Sequence, residues 1–81
     1  MIVQVRLFAA VRQTVGEATL AVELQDEATV GDLRCVLVKR FPALVSWERH
    51  LLFAVNEEFA TDDHPLAAGA DIACFPPVSG G

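Results

Sequence analysis

The 81-residue sequence has few cysteines, few basic residues and no long apolar run. Cys35 and Cys74 are too few and too far apart for a disulfide framework or a zinc site, and we interpret both as small apolar core residues. No apolar run approaches the ~18 residues that a membrane span requires. Because Gln4, Arg6 and Arg12 interrupt the first residues, we expect no signal peptide there. These absences predict a cytoplasmic domain without a bound metal.

Acidic residues outnumber basic ones by eleven to six, which gives a net charge of -5. A nucleic-acid backbone or an anionic membrane would repel such a chain, so we expect neither as a partner. Apolar residues make up 53% of the sequence, yet a domain of this size buries only roughly 60 to 65% of its surface on folding. Some apolar side chains must therefore lie outside, where they usually mark a protein partner.

The first third of the sequence predicts two strands joined by a short helix. In "MIVQVRLF" apolar residues alternate with a period of two, which is typical of a strand with one buried face. "AAVRQTVG" favours a helix of one to two turns that Gly16 ends as a C-terminal cap. "ATLAVEL" alternates again and predicts the second strand.

The main helix is predicted to begin after Thr29, because Asp32 three residues later completes a capping box with Asp in place of the usual Glu. Pro42 ends the helix, since the residue before a proline avoids the helical region. Four apolar residues recur at spacings of three and four and form one stripe of this helix: Val30, Leu33, Leu37 and Phe41.

The remaining sequence predicts two or three further strands. "LLFAV" indicates a strand buried on both faces, "NEE" a turn, "FAT" a short fourth strand and "DIACF" the last strand. This order predicts an α+β domain over residues 1–77. It has a mixed sheet, one main helix across one face and a short second helix, which is a β-grasp arrangement. We expect the first and last strands to be central neighbours.

The sequence ends in "FPPVSGG", which predicts an extended segment beyond the last strand. Pro76 and Pro77 have no backbone N–H and cannot extend a sheet ladder. Residues 78–81 are then expected to form a flexible tail. Gly80 and Gly81 lack side chains, so the tail fits a narrow channel and its terminal carbonyl is open to attack. Activation of the Gly81 carboxylate with ATP would let it receive sulfur or join an amine.

Four segments, "MIVQVRLFAAVRQTVG", "LLFAVNEEF", "DHPL" and "FPPVSGG", together resemble the small subunit of molybdopterin synthase along the whole chain. The resemblance implies a ubiquitin-like β-grasp fold whose terminal glycine is adenylated and then converted to a thiocarboxylate. It further implies that this sulfur passes to cyclic pyranopterin monophosphate in the active site of the large subunit, building a dithiolene. The small subunit is then a sulfur donor without catalytic residues of its own.

The resemblance also assigns positions and partners. Gly81 is the sulfur-bearing residue, and Val78, Ser79 and Gly80 insert with it into the partner. Five further residues form the expected partner interface: Phe8, Phe59, Phe75, Pro76 and Pro77. The implied partners are the large subunit, in a heterotetramer of two large and two small subunits, a ubiquitin-activating-like adenylyltransferase that consumes ATP, and a sulfurtransferase or cysteine desulfurase. No permanently bound cofactor is implied. Cys74 departs from the pattern, because a larger apolar residue is expected there.

Three other functions remain open at this point: a sulfur carrier of the thiamine pathway, a ubiquitin-like protein modifier, and an interaction module with incidental terminal glycines. A metal site at His64 with Asp62 and Asp63 is a weaker interpretation than an ordinary turn, because adjacent residues rarely converge on one ion. We interpret His50 as a strand-edge residue and Trp47 as packing over one end of the core.

Overall fold

The computed structural model describes residues 1–77. Five strands form one sheet in the order β2-β1-β5-β3-β4. The strands are β1 (Ile2–Leu7), β2 (Thr19–Glu23), β3 (Leu52–Val55), β4 (Glu58–Phe59) and β5 (Asp71–Phe75). The helices are α1 (Ala9–Val15), α2 (Val30–Arg40) and a 3-10 helix, Pro42–Trp47. The predicted α+β β-grasp arrangement, with one main helix and one short helix, is confirmed. The predicted flexible tail, residues 78–81, lies outside the described residues.

The centre of the sheet is a parallel pair of the first and last strands. β1 pairs with β5 in parallel, with Val5 opposite Ile72 and Leu7 opposite Cys74. All other strand pairs are antiparallel. The predicted mixed sheet and the predicted central pairing of the two strands are therefore both confirmed.

The start of α2 is fixed by the predicted capping box. The backbone N–H of Asp32 donates to Thr29 Oγ1 over 3.3 Å, and the N–H of Thr29 donates to Asp32 Oδ2 over 2.9 Å. The helix ends at Arg40 with Phe41 as its C-cap, directly before Pro42 as predicted. Pro42 also begins the 3-10 helix, which the sequence did not predict; its missing N–H is not needed in a first turn.

The core lies between α2 and one face of the sheet. No polar or charged side chain is buried within residues 1–77. Alternating residues of the strands meet the predicted stripe of α2 in one apolar cluster. The side chains in it with no exposed surface include Val3, Val5, Val22, Val30, Leu33, Leu37 and Ile72. Each such side chain stabilises the fold by about 1.5 to 3 kcal/mol.

Two local interpretations from the sequence are wrong. Cys35 is exposed and not part of the core, because α2 turns the face carrying Leu33 and Leu37 toward the sheet and Cys35 away from it. His50 lies in the turn before β3 and not on a strand edge. Trp47 is partly buried against the core, as predicted.

The later strands follow the predicted order with small shifts of their bounds. β3 begins one residue later than "LLFAV", and its Phe53, Ala54 and Val55 are buried while Leu52 is only partly so. β4 begins at Glu58, one residue before the predicted "FAT". Among residues 1–77 no helix is long and apolar enough to cross a bilayer.

Arg34 connects α2 to two loops. Its Nη1 donates to the carbonyls of Glu48 and Leu51 over 2.6 and 2.8 Å, and its Nη2 donates to Asp62 Oδ1 over 2.8 Å. The guanidinium carbon also lies 5.1 Å from the centre of the Phe53 ring. Since only 14% of this side chain is exposed, the contacts are well shielded from water and hold both loops on the helix.

The β3–β4 hairpin contains a residue that is unfavourable at its position. Asn56 and Glu57 form its two-residue turn with φ of 52° and 72°. A turn with two positive φ values favours Asn followed by Gly, because a side chain in this region costs energy. We expect Glu57→Gly to raise the free energy of unfolding by about 0.5 to 1 kcal/mol in urea denaturation.

Glu58→Gly is the matched control, because it removes the same side chain from a strand position. It should lower stability. A Glu57→Gly protein no more stable than the parent would contradict the assignment of strain to this turn.

Candidate functional site

The face of the sheet opposite α2 carries the interface residues predicted from the resemblance. Alternation along β5 directs Ile72 and Cys74 into the core and Ala73 and Phe75 to the opposite face. Ala73 is nonetheless only 5% exposed, because strands on both sides flank it. Phe75, at the end of β5, is partly buried.

Phe8, Phe59 and Phe75 meet on this face and are called here the aromatic cluster. The rings of Phe8 and Phe75 are stacked with centroids 4.7 Å apart and planes at 13°. The rings of Phe59 and Phe75 are tilted at 59° with centroids 6.0 Å apart. Such pairs contribute about 0.5 to 1.5 kcal/mol each beyond their buried area. The structure thus brings together three residues that are far apart in the sequence.

Strand pairing explains why the three rings meet. Parallel strands end side by side, so the residue after β1 lies beside the end of β5, and the N–H of Phe8 donates to the Cys74 carbonyl over 3.2 Å. In the antiparallel pairs, Leu52 is opposite Phe75 and Ala54 is opposite Phe59. Phe59 and Phe75 lie on strands and Phe8 directly follows β1, so strand pairing holds the cluster in place.

The exposed part of the cluster is mainly Phe59, whose side chain is 72% exposed. Phe8 and Phe75 are partly buried against each other. Arg6 forms a polar rim: its guanidinium lies 5.6 Å from the Phe8 ring centre and binds both carboxylate oxygens of Asp71 over 2.9 and 3.0 Å. An apolar centre with a polar rim is the usual anatomy of a protein interface.

Pro76 and Pro77 continue from Phe75 outside the ladder, as expected for residues without N–H groups. Both are partly buried. The predicted inserting residues Val78, Ser79 and Gly80, and the predicted reactive Gly81, lie outside the described residues. The described chain ends at Pro77, two residues beyond Phe75 of the aromatic cluster.

A groove at the corner of the sheet, called here the corner groove, lies next to this point. Its apolar floor includes Leu52, Phe59 and Pro77, and its rim carries Arg49 and His50. The sequence analysis singled out His50 but not its neighbour Arg49. The only signal was the pair of basic side chains in "ERH" directly before a strand.

The predicted turn at "DDHP" is confirmed, with Asp62 and Asp63 forming the turn. Asp62 is paired with Arg34, and the Thr61 hydroxyl donates to Asp63, which lowers the pKa of the Asp63 carboxyl. Within residues 1–77 no three His, Cys, Asp or Glu side chains are grouped so that they could hold a metal ion.

The two cysteines lie in different settings. Cys74 is fully buried, and burial raises the pKa of its thiol to about 12. It therefore remains protonated at neutral pH and is a packing residue. Cys35 lies on the exposed face of α2.

The mixed five-stranded sheet wrapped around one main helix defines a protein of the ubiquitin-like β-grasp class. The model of the ThiS family matches residues 5–81, nearly the whole chain. The chain belongs to the ThiS family.

Two similar proteins carry names that describe different functions. The chain is 40% identical over 81 residues to the molybdopterin synthase sulfur carrier subunit of Escherichia coli, covering 98% of this chain and 99% of the relative. It is 38% identical over 84 residues to small archaeal modifier protein 1 of Haloferax volcanii, covering 94% and 97%. The resemblance to the molybdopterin synthase small subunit is thereby confirmed.

Solved structures agree with the fold. A putative molybdopterin converting factor subunit 1 from Pyrococcus furiosus has a TM-score of 0.85 at 29% identity, covering 96% of this chain and 99% of that one. A chain of the complex of subunits 1 and 2 of the molybdopterin-converting factor from Helicobacter pylori has a TM-score of 0.68 at 26% identity, with full coverage of both chains.

The two thiols should differ sharply in reactivity. In the native protein at pH 8, iodoacetamide should alkylate Cys35 and leave Cys74 unmodified, because Cys74 is buried and protonated. Peptide mass spectrometry of the native and the urea-unfolded protein measures this, and the unfolded chain should be labelled at both sites. Fast native labelling of Cys74 would contradict its role as a core residue.

Proposed function

We propose that this chain is the sulfur carrier subunit of molybdopterin synthase. The observation that carries the proposal is the position of the preformed aromatic cluster beside the start of a segment ending in two glycines, in a chain of the ThiS family. The domain supplies a docking surface and the terminal carboxylate supplies the chemistry. No cluster of activated side chains in residues 1–77 competes with this division.

In the proposed reaction the Gly81 carboxylate attacks the α-phosphorus of ATP, pyrophosphate leaves, and an acyl-adenylate forms. Hydrosulfide delivered by the sulfur donor then attacks the acyl carbon, AMP leaves, and loss of the S–H proton gives a thiocarboxylate on Gly81. The partner transfers this sulfur to cyclic pyranopterin monophosphate, and water restores the carboxylate. Each carrier delivers one sulfur, so a dithiolene needs two carriers. The buried, protonated Cys74 does not take part in these steps.

The proposed docking surface is the aromatic cluster together with Pro76 and Pro77. Its rings are held by strand pairing and by each other, so binding needs little further ordering of side chains. Aromatic anchors of this kind are the residues that dominate many protein interfaces. The Helicobacter pylori complex of two subunits supports a large-subunit partner, because one chain of that complex shares this fold.

The proposed partners follow from the reaction. A ubiquitin-activating-like adenylyltransferase consumes ATP, a sulfurtransferase or cysteine desulfurase supplies sulfur, and a large subunit contributes the catalytic residues. We propose a heterotetramer of two large and two small subunits. The chain itself holds no permanent cofactor in this scheme.

A second candidate function is protein modification, favoured by the 38% identity to small archaeal modifier protein 1. The two functions share the acyl-adenylate and diverge afterwards: a sulfur nucleophile makes a carrier, and a lysine amine makes a conjugate. A thiamine-pathway sulfur carrier would share the thiocarboxylate and differ in its acceptor.

Intact mass spectrometry separates these functions. The chain is incubated with ATP, the activating enzyme and a sulfur donor, and then with the large subunit and cyclic pyranopterin monophosphate. An exchange of one oxygen for sulfur, followed by its loss to the pterin, supports the proposal. Protein conjugates would support the modifier, and a thiocarboxylate that the pterin does not consume would favour the thiamine pathway.

Phe75→Ala should weaken binding to the large subunit by about 1 to 3 kcal/mol, because the central ring of the cluster is lost. Isothermal titration measures the affinity, and thermal unfolding confirms that the variant is folded. Val45→Ala is the matched control, since Val45 is 59% exposed and lies in the 3-10 helix away from the sheet. If the two variants bound the large subunit with equal affinity, the aromatic cluster would not be part of the interface.

A residue added after Gly81 should abolish sulfur transfer while leaving thermal unfolding unchanged. The extra residue moves the reactive carbon by ~3.3 Å. Reacting atoms must lie within about 3 to 3.5 Å of each other, so a displacement of this size prevents the reaction. Gly81→Ala keeps the length and should slow activation more than it weakens binding. Normal transfer by the extended chain, without trimming back to Gly81, would refute the carrier function.

A further inference from the structure

The corner groove joins the aromatic cluster to the start of the tail. Phe59 belongs to both the cluster and the groove, and Pro77, the last described residue, lines the groove. Leu52 adds to the apolar floor. A protein that covers the aromatic cluster and receives the residues after Pro77 must therefore pass over this groove.

The lining of the corner groove carries two arginines and one carboxylate, on a chain whose net charge is -5. Arg6, Arg34 and Arg40 donate hydrogen bonds to carboxylates or carbonyls of the chain, whereas none is found for the Arg49 guanidinium within residues 1–77. Arg49 is exposed and His50 lies next to it. Asp62, the carboxylate in the groove, is already paired with Arg34 at 2.8 Å.

We propose that the corner groove binds an acidic segment of the large subunit, with a partner carboxylate on the Arg49 guanidinium and an apolar partner side chain on Leu52 and Pro77. This inference rests on the proposed function and adds a specificity-determining contact to it. The planar guanidinium offers two parallel N–H groups to a carboxylate, which fixes direction as well as charge.

The negative charge of the rest of the chain explains how this contact could direct docking. An acidic segment is repelled by a surface with eleven acidic residues and six basic ones, so the rim of the groove is a favourable place for it beside the tail. Complementary charge of this kind sets the orientation and rate of docking. Contact at Arg49 would fix the orientation of the partner relative to Pro77, which lines the same groove.

The test uses the full chain and the large subunit encoded by the same genome. Arg49→Glu is compared with Lys39→Glu, which changes the net charge equally but lies on α2, outside the residues that line the groove. Arg49→Glu should weaken affinity by about tenfold or more, and Lys39→Glu by less than about twofold. The difference should shrink in high salt, because exposed charges are screened. Thermal unfolding shows that both variants remain folded.

A second measurement identifies the partner carboxylate. Individual Asp and Glu residues of the large subunit are changed to Arg, and one of these changes should restore binding of the Arg49→Glu chain while weakening binding of the parent. Equal losses for Arg49→Glu and Lys39→Glu, or no loss in either, would overturn the groove proposal and leave the proposed function intact. Failure of the unmodified chain to bind the large subunit would overturn both.

Discussion

The structure depends first on the parallel pairing of β1 with β5, the two strands that are farthest apart in the chain. Their register, with Val5 opposite Ile72 and Leu7 opposite Cys74, brings apolar residues from both ends of the sequence onto the covered face. It also makes β5 the middle strand of five, so the chain leaves the sheet from its centre. β1 and β3 therefore flank the end of β5, where the chain leaves the sheet.

The same pairing creates the aromatic cluster. Phe8 and Phe75 stack because parallel strands end together, and Phe59 joins them because β3 lies on the other side of β5. A single set of backbone hydrogen bonds therefore places both the aromatic cluster and the residues that lead to Pro77.

Arg34 holds in place the corner of the sheet where the corner groove lies. It holds the loop before β3 and the turn after β4 on α2, through two carbonyls and Asp62. The corner groove is formed between these segments, and Arg49 is carried on one of them. Arg34 thus positions the segments that line the groove and pairs with Asp62. Under the proposed docking, the charge of Arg49 then remains for the partner's carboxylate.

Much of the fold was determined by local sequence signals. Period-two alternation in "MIVQVRLF", the capping box of Thr29 and Asp32, and Pro42 after the main helix each describe a preference of neighbouring residues, which is why sequence reasoning placed those elements correctly. The two terminal glycines could likewise be identified directly from the sequence. Tertiary structure decided what depends on distant contacts. The stacking of Phe8 on Phe75, the exposure of Cys35 and the position of Arg49 beside Pro77 follow from strand register and from the rotation of α2 against the sheet. No single segment contains that information, because it is set by how the separate apolar faces pack together in one core.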